Sequence, residues 1–288
     1  MHLSHTEEQE ALRDAVAGFL DKASDPESVR EAEPLGWDPK VWDGLTAIGV
    51  PTLGVAEEQG GSGATLRDLA VVAEACGARL ASAPVVETMA AAAEVLAALA
   101  EGGAPVTLAV RPARDGVAAL VPGAAVAEAV LALDGDDLVL VRLSGGVTSP
   151  TNLGSAPLAD VDLTGDGRTV LASGTDAVTA HGRAVDEWRA LTARWLVGLG
   201  RDAQAIGVQY AIDRKQFGVP VGSFQAVQHR FADLATDLDG ADLLANKAVW
   251  ALDVGDPVAD TFPSMAFWFA GDTAQRTARR CVGAPPSS

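Results

Sequence analysis

The run from Arg214 to Leu234, RKQFGVPVGSFQAVQHRFADL, sets two Arg, a Lys, three Gln, three Phe and a His around a Gly-Val-Pro-Val-Gly turn. The chain around it is dominated by Ala, Val, Leu and Gly, so cations, amides and rings are concentrated at one short reversal. Helical periodicity resumes at Thr175, giving a long helix through Asp186–Arg214. A second helix runs from Ser223 to Asp253, and Gly218 and Gly222 let the chain turn between the two.

A last helix is expected from about Pro257 to Val282. At the other end, Thr6 followed by Gln9 has the form of a capping box, and Leu12, Val16, Phe19 and Leu20 recur at helical spacing behind it. Pro39 just inside a start and Gly49 just past an end mark a helix over Pro39–Ile48. Two more helices are expected over Thr65–Leu80 and Val86–Leu99. Between the helical halves the period changes. PVTLAV, GVAALV, AVLALD and DLVLVRL are short β-rich runs separated by turn residues, and they predict a small sheet across about residues 105 to 172. The fold expected is therefore mainly α with a small β unit. Its parts are a helical domain over 1–104, an abbreviated β domain over 105–174 and a C-terminal long-helix bundle over 175–288.

Composition narrows the function. The 288 residues are 48% hydrophobic and 21% charged, ordinary for a folded globular chain. A net charge of −18 argues against nucleic-acid binding. Cys76 and Cys281 stand far apart, without the clustered Cys and His of a zinc site or a disulfide framework. The opening residues lack the apolar run of a signal peptide, and the Ala-rich stretch at Met89–Leu99 is too short to span a bilayer. A cytoplasmic protein without a membrane segment is expected.

The order of elements, together with the motif, resembles the acyl-CoA dehydrogenase family of flavoproteins over most of the chain. VWDGLTAIGVPTLGVAEEQGGSGATLRDLAVVAEACGARLASAPV is similar to that family's N-terminal stretch. LVGLGRDAQAIGVQYAIDRKQFGVPVGSFQAVQHRFADLATDL is similar to its C-terminal one, with Arg-x-Gln-Phe-Gly followed by Phe-Gln. The resemblance implies that this segment lies at a subunit interface and touches the FAD of the neighbouring subunit. Arg214 then suits the pyrophosphate, because a guanidinium offers planar paired donors and keeps its charge. Gln216 and Gln225 can hydrogen-bond phosphate, ribose or ring edges, and Phe217 supplies a flat apolar face. Phe224 and, one helical turn on, Gln228 complete the candidate cofactor set. The plainer readings are a helix-capping cation at Arg214, interface core at Phe217 and Phe224, and subunit contact at Gln228 and His229. Trp188, Trp195 and Trp250 read as core anchors.

Departures from the family pattern sharpen the expectation. The family's Thr-Glu-Pro-like segment and following Gly-Ser, which bind the isoalloxazine, have no counterpart in the β stretch. DTAQRTARRCV is followed by GAPPSS, so the stretch that carries the family's commonest catalytic glutamate is not expected here. The second known base position, counted back without gaps from Phe217, falls on Trp188, one residue past Glu187. Glu187 is the remaining candidate base, and its plain reading is an acid near a helix start, stabilised by the dipole. A slip of one residue turns a side chain about 100° around a helix.

Half a flavin site without a base resembles the small subunit of heteromeric acyl-CoA dehydrogenases, α2β2 assemblies of the actinobacterial steroid side-chain degradation type. The resemblance implies a larger homologous partner carrying the catalytic Glu, FAD at the interface, an acyl-CoA substrate that is α,β-dehydrogenated, and electron-transfer flavoprotein as acceptor. Two alternatives remain: a self-sufficient homomeric enzyme, and a non-catalytic structural or interaction subunit without flavin.

Overall fold

The computed structural model describes residues 4–91, 104–143 and 147–282. The far part of the helix expected over Val86–Leu99, the turn at 144–146 and the ending GAPPSS lie outside those residues. The N-terminal part consists of α1 (Glu7–Ala23), α2 (Pro26–Glu31), α3 (Pro39–Ile48), α4 (Leu66–Ala78) and α5, described over 85–91. Thr6 and Gln9 form the expected capping box, each bonding the other's backbone N–H at 3.2 Å. Asp38 and Pro39 start α3, and Gly49 ends it at φ 89°. Asp25 caps the short α2, which the sequence pattern did not single out.

The β unit holds β1 (Val106–Leu108), β2 (Val117–Val121), β3 (Ala129–Asp134), β4 (Asp137–Arg142), β5 (Ala159–Asp162) and β6 (Arg168–Ser173). One sheet has the order β1-β3-β4-β6, with β1 parallel to β3 and the other pairs antiparallel. β2 and β5 form a separate antiparallel pair that covers one face of it. Strand alternation divides the core. Ala129, Leu131 and Leu133 of β3 meet α5 and the start of α6, whereas Val130 and Ala132 meet the β2–β5 pair.

Three long helices follow: α6 (Thr175–Asp213), α7 (Gln225–Asp253) and α8 (Thr261–Val282). At 39 residues α6 is roughly 60 Å long and ties the β unit to the helical core. Leu191 and Val197 pack there with Val72 of α4, Ala245 of α7 and Ala270 of α8. Two glycines let α4 and α6 touch backbone to backbone. A Cβ on Gly77 would sit 1.9 Å from the Trp195 carbonyl oxygen, and one on Gly198 would sit 2.1 Å from that of Glu74.

Beside this contact the guanidinium of Arg194 is buried between the carboxylates of Glu74 and Asp242, and Arg201 bonds both acids from the surface side at 3.2 and 3.1 Å. Two helix starts fall later than expected. Val221–Ser223 form a 3-10 turn and Phe224 is the residue before α7, so that helix begins at Gln225. Asp256 accepts the Val258 N–H at 3.1 Å in a turn that delays α8 to Thr261.

Candidate functional site

The reversal between α6 and α7 is a β-hairpin. Arg214 leaves the end of α6 in extended conformation, and its carbonyl accepts the Val221 N–H at 2.8 Å. Strands β7 (Lys215–Gln216) and β8 (Val219–Pro220) pair antiparallel, joined by Phe217 and Gly218 at φ 52° and 82°. Positive φ at both loop residues is what a two-residue hairpin matched to strand twist requires. The expected turn at Gly218–Gly222 is thus corrected to Phe217–Gly218. Gly222 serves close packing instead: a Cβ there would lie 3.0 Å from the Ala211 carbonyl oxygen.

This hairpin points its distinctive side chains outward. Phe217 is 88% exposed, Phe224 is 38% exposed, and the two rings meet edge to face with centroids 6.4 Å apart. Arg214, Gln225 and Gln228 are exposed and Gln216 is half-buried. Among the described residues the Arg214 guanidinium has no ion pair or side-chain hydrogen bond. No side chain caps α7, which leaves its first N–H groups open to a ligand. Ile206, Tyr210, Ile212 and Val219 are exposed over the same end of α6 and the hairpin. A free guanidinium, amides, unpaired N–H groups and exposed rings can hold a molecule with an anionic group and a flat ring. These residues fit the phosphates and one ring face of the FAD that the resemblance implies.

The candidate base stands elsewhere. α6 begins at Thr175, so Glu187 lies three turns inside the helix and the dipole reading of it does not hold. Its carboxylate takes the Nε–H of Arg183 at 2.8 Å, and the side chain is only 13% exposed. Trp188 is more than a core anchor. Its indole N–H donates to Glu87 of α5 at 3.3 Å, and its ring packs against Phe267 with centroids 5.2 Å apart. Burial pushes the Glu87 carboxyl above the usual glutamate range, opposed by its own backbone N–H and the indole.

Glu87 was not singled out from sequence, because an acid within an apolar-rich helix start carries no motif. It lines a cavity of about 470 Å³ between the N-terminal helices, the β unit and α6, together with Trp195 and Thr192. Trp250 instead lies under Lys247, whose ammonium is 4.0 Å from the ring centroid. Among the described residues no group of three or more His, Cys, Asp or Glu could hold a metal ion. No described helix is long and apolar enough to cross a membrane.

Residues 6–105 match the family model of the acyl-CoA dehydrogenase N-terminal domain, and residues 179–284 that of the acyl-CoA dehydrogenase C-terminal domain. Acyl-CoA dehydrogenase IpdE2 of Mycolicibacterium smegmatis is 31% identical over 288 residues, covering 96% of this chain and 86% of its own. Among solved structures, the ChsE4–ChsE5 complex from Mycobacterium tuberculosis has a chain that superposes with a TM-score of 0.85 at 24% identity, covering 99% of this chain and 88% of that one. A Tcur3481–Tcur3483 steroid ACAD gives 0.82 at 23%, over 96% and 87%. At those identities the two structures show a shared fold.

Proposed function

Since the chain belongs to the acyl-CoA dehydrogenase family, we propose that it is a subunit of an FAD-dependent acyl-CoA dehydrogenase that completes the flavin site of a larger catalytic homologue. The observation that carries this reading is the hairpin, where Arg214, unpaired among the described residues, and Phe217 both face solvent. Arg214 would hold the pyrophosphate, Gln216 and Gln225 the neighbouring polar edges, and Phe217 and Phe224 a ring face; Gln228 extends the same surface. When bound, the flavin would supply the hydride acceptor for α,β-dehydrogenation of an acyl-CoA thioester. The position of the family's second base holds Trp188, and Glu187 is engaged with Arg183, so the proton acceptor is assigned to the partner. Solved relatives named as two-protein complexes, one of them a steroid ACAD, support an α2β2 assembly and a steroid side-chain CoA ester as substrate. Electron-transfer flavoprotein is the acceptor in this reading.

One observation favours a second reading, a self-sufficient enzyme: the Glu87 carboxyl lies against Trp188 within the same chain. The flavin absorbance spectrum separates them. The chain purified alone is expected to be colourless, and yellow when co-expressed with a larger homologue. Stoichiometric flavin in the isolated, active chain would overturn the heteromeric reading.

A further inference from the structure

Helices α1 and α6 both pack on α4, and a second cavity, of about 330 Å³, opens where the three meet. That volume lies at the small end of the range of ligand pockets. Small residues from each helix, Ala17, Ala75 and Ala205 among them, leave the space open. Around it stand three guanidinium groups, those of Arg13, Arg79 and Arg201, with the carboxylates of Glu74 and Asp202.

Each guanidinium is tied to acid along one edge and open along another. Arg13 bonds Asp14 through Nε and Nη2, at 3.2 and 3.0 Å. Arg79 bonds Asp21 through Nε at 2.6 Å and Asp202 through Nη1 at 3.0 Å. Arg201 reaches Glu74 and Asp242 through Nη1 and Nη2. Among the described residues no hydrogen bond involves Arg13 Nη1, Arg79 Nη2 or Arg201 Nε. The acids of the lining are more fully engaged. Glu74 gives one oxygen to Arg194 and the other to Arg201, and Asp202 gives one to Arg79. The cavity therefore has more open donors than open acceptors, and the donors belong to planar, permanently charged groups suited to an oxyanion. The last carbonyls of α4, which would repel an anion, are also taken. Those of Cys76 and Gly77 accept the Ala81 and Leu80 N–H groups at 3.0 and 3.3 Å, and that of Ala78 accepts Arg79 Nη1 at 3.3 Å. Asp14 and Asp21 lie on the exposed side, where water and salt weaken their charge.

We infer that this cavity binds a phosphate-type oxyanion, free or at the end of a small molecule, through the open edges of Arg13, Arg79 and Arg201. The acid on the other edge of each guanidinium holds it in place beforehand, which lowers the cost of ordering it around the ligand. Arg214 follows the end of α6, about 20 Å along the helix axis from Arg201. The two arginines therefore serve separate sites, and failure of the flavin reading leaves this one standing.

The test is calorimetric titration of the full chain with inorganic phosphate and with phenyl phosphate, in a phosphate-free buffer of fixed ionic strength. The same titrations with Arg214→Ala exclude the guanidinium assigned to the flavin. Saturable binding of at least one compound is expected in both chains, with acetate, a single charge, binding more weakly. The tighter of the two phosphates tells a free ion from an ester. Arg13→Gln, which disturbs only the exposed Asp14 pair, should raise the Kd about fivefold, the upper end for an exposed charge pair. Thermal unfolding checks that each variant is folded. No saturable binding of either phosphate, loss of binding in Arg214→Ala, an unchanged Kd in folded Arg13→Gln, or tighter binding of acetate would each overturn the inference.

Discussion

Phe217 meets Phe224 edge to face, 6.4 Å between centroids and 81° between planes, from a backbone held at φ 52°. The left-handed conformation costs a bulky residue roughly 1–2 kcal/mol. An aromatic pair returns about 0.5–1.5 kcal/mol, and a ring left 88% exposed gains little from burial. The contact alone therefore does not explain a Phe where Gly would be relaxed, and strain of this kind clusters at ligand clamps. Phe217→Gly should leave stability of the isolated chain within about 1 kcal/mol of the unaltered one, because relief of strain offsets the lost ring contact. FAD retention by the assembled complex should fall. Denaturant unfolding and flavin release measure the two separately, and loss of stability without loss of flavin would make the ring structural.

Arg214 sits one step behind that turn with its side chain unpaired among the described residues. If it holds pyrophosphate, Arg214→Ala should weaken FAD retention by about 1.5–3 kcal/mol, the range for charge-assisted hydrogen bonds. Arg214→Lys should recover part of this, since a point charge does not reproduce a planar fork. Flavin dissociation constants of the three complexes provide the check; equal values would place Arg214 on the solvent side.

The hairpin and cavity differ in how visible they were beforehand. Arg214, Phe217 and Gln225 stand together in the chain, so one stretch of sequence disclosed them. Glu87 and Trp188 are 101 residues apart and meet only because α5 packs against α6 beside the β unit. β3 and β4 could be read because their apolar residues fill both faces of a buried sheet. β6 could not, since Thr169, Val170 and Leu171 are all exposed and carry no alternation. The long helices are legible from periodicity, which resumes at Thr175, but with Gly174 and no side-chain cap ahead of it nothing marks the helix start there, and Glu187 lies inside α6 instead of near its start.

His181 joins α6 to the β unit, with its Nε2 2.8 Å from the Ala109 carbonyl oxygen. Burial holds its pKa below the ordinary histidine value, although the bond to Ala109 works the other way. The unfolded chain thus takes up a proton at higher pH than the folded one. The contribution is fully present above the ordinary value of about 6.5 and is lost as pH falls through the folded value, by at most about 1.4 kcal/mol per pH unit. Burial raises the pKa of Glu87, Asp186 and Asp253, which act in the opposite sense, so the comparison must isolate the histidine. Between pH 7.5 and 5.5 the unaltered chain should lose more stability than His181→Gln in matched denaturant titrations. Parallel pH profiles would remove His181 as a cause.

The buried Arg194 network should dominate the stability of the helical core. Its guanidinium joins Glu74 of α4 to Asp242 of α7, and its Nε has no partner among the described residues. Arg194→Met leaves Glu74 and Asp242 with Arg201 as their shared cation among the described residues, and should cost about 3–5 kcal/mol. Adding Glu74→Gln and Asp242→Asn should recover part of that loss, because uncompensated charge is the larger share of the penalty. Chemical denaturation of the single and triple variants tests this. A triple variant no more stable than Arg194→Met would assign the loss to packing.

Glu187 tests the proposal that the proton acceptor lies on a partner subunit. Glu187→Gln keeps shape and hydrogen-bonding capacity while removing the carboxylate. In the structure that carboxylate pairs with Arg183 one turn back, at 2.8 Å, and such a pair on a helix is worth about 0.3–0.5 kcal/mol. Loss of an essential general base would instead cut turnover by roughly 10²–10⁴. With the base on the partner, the assembled complex carrying Glu187→Gln should turn over acyl-CoA at nearly the unaltered rate in an electron-acceptor assay at saturating substrate. The side chain next along α6, Trp188, gives an internal comparison, because Trp188→Phe removes the hydrogen bond to Glu87 without touching the Arg183 pair. A hundredfold loss in Glu187→Gln, with the complex intact and its flavin retained, would make this chain the one that removes the proton.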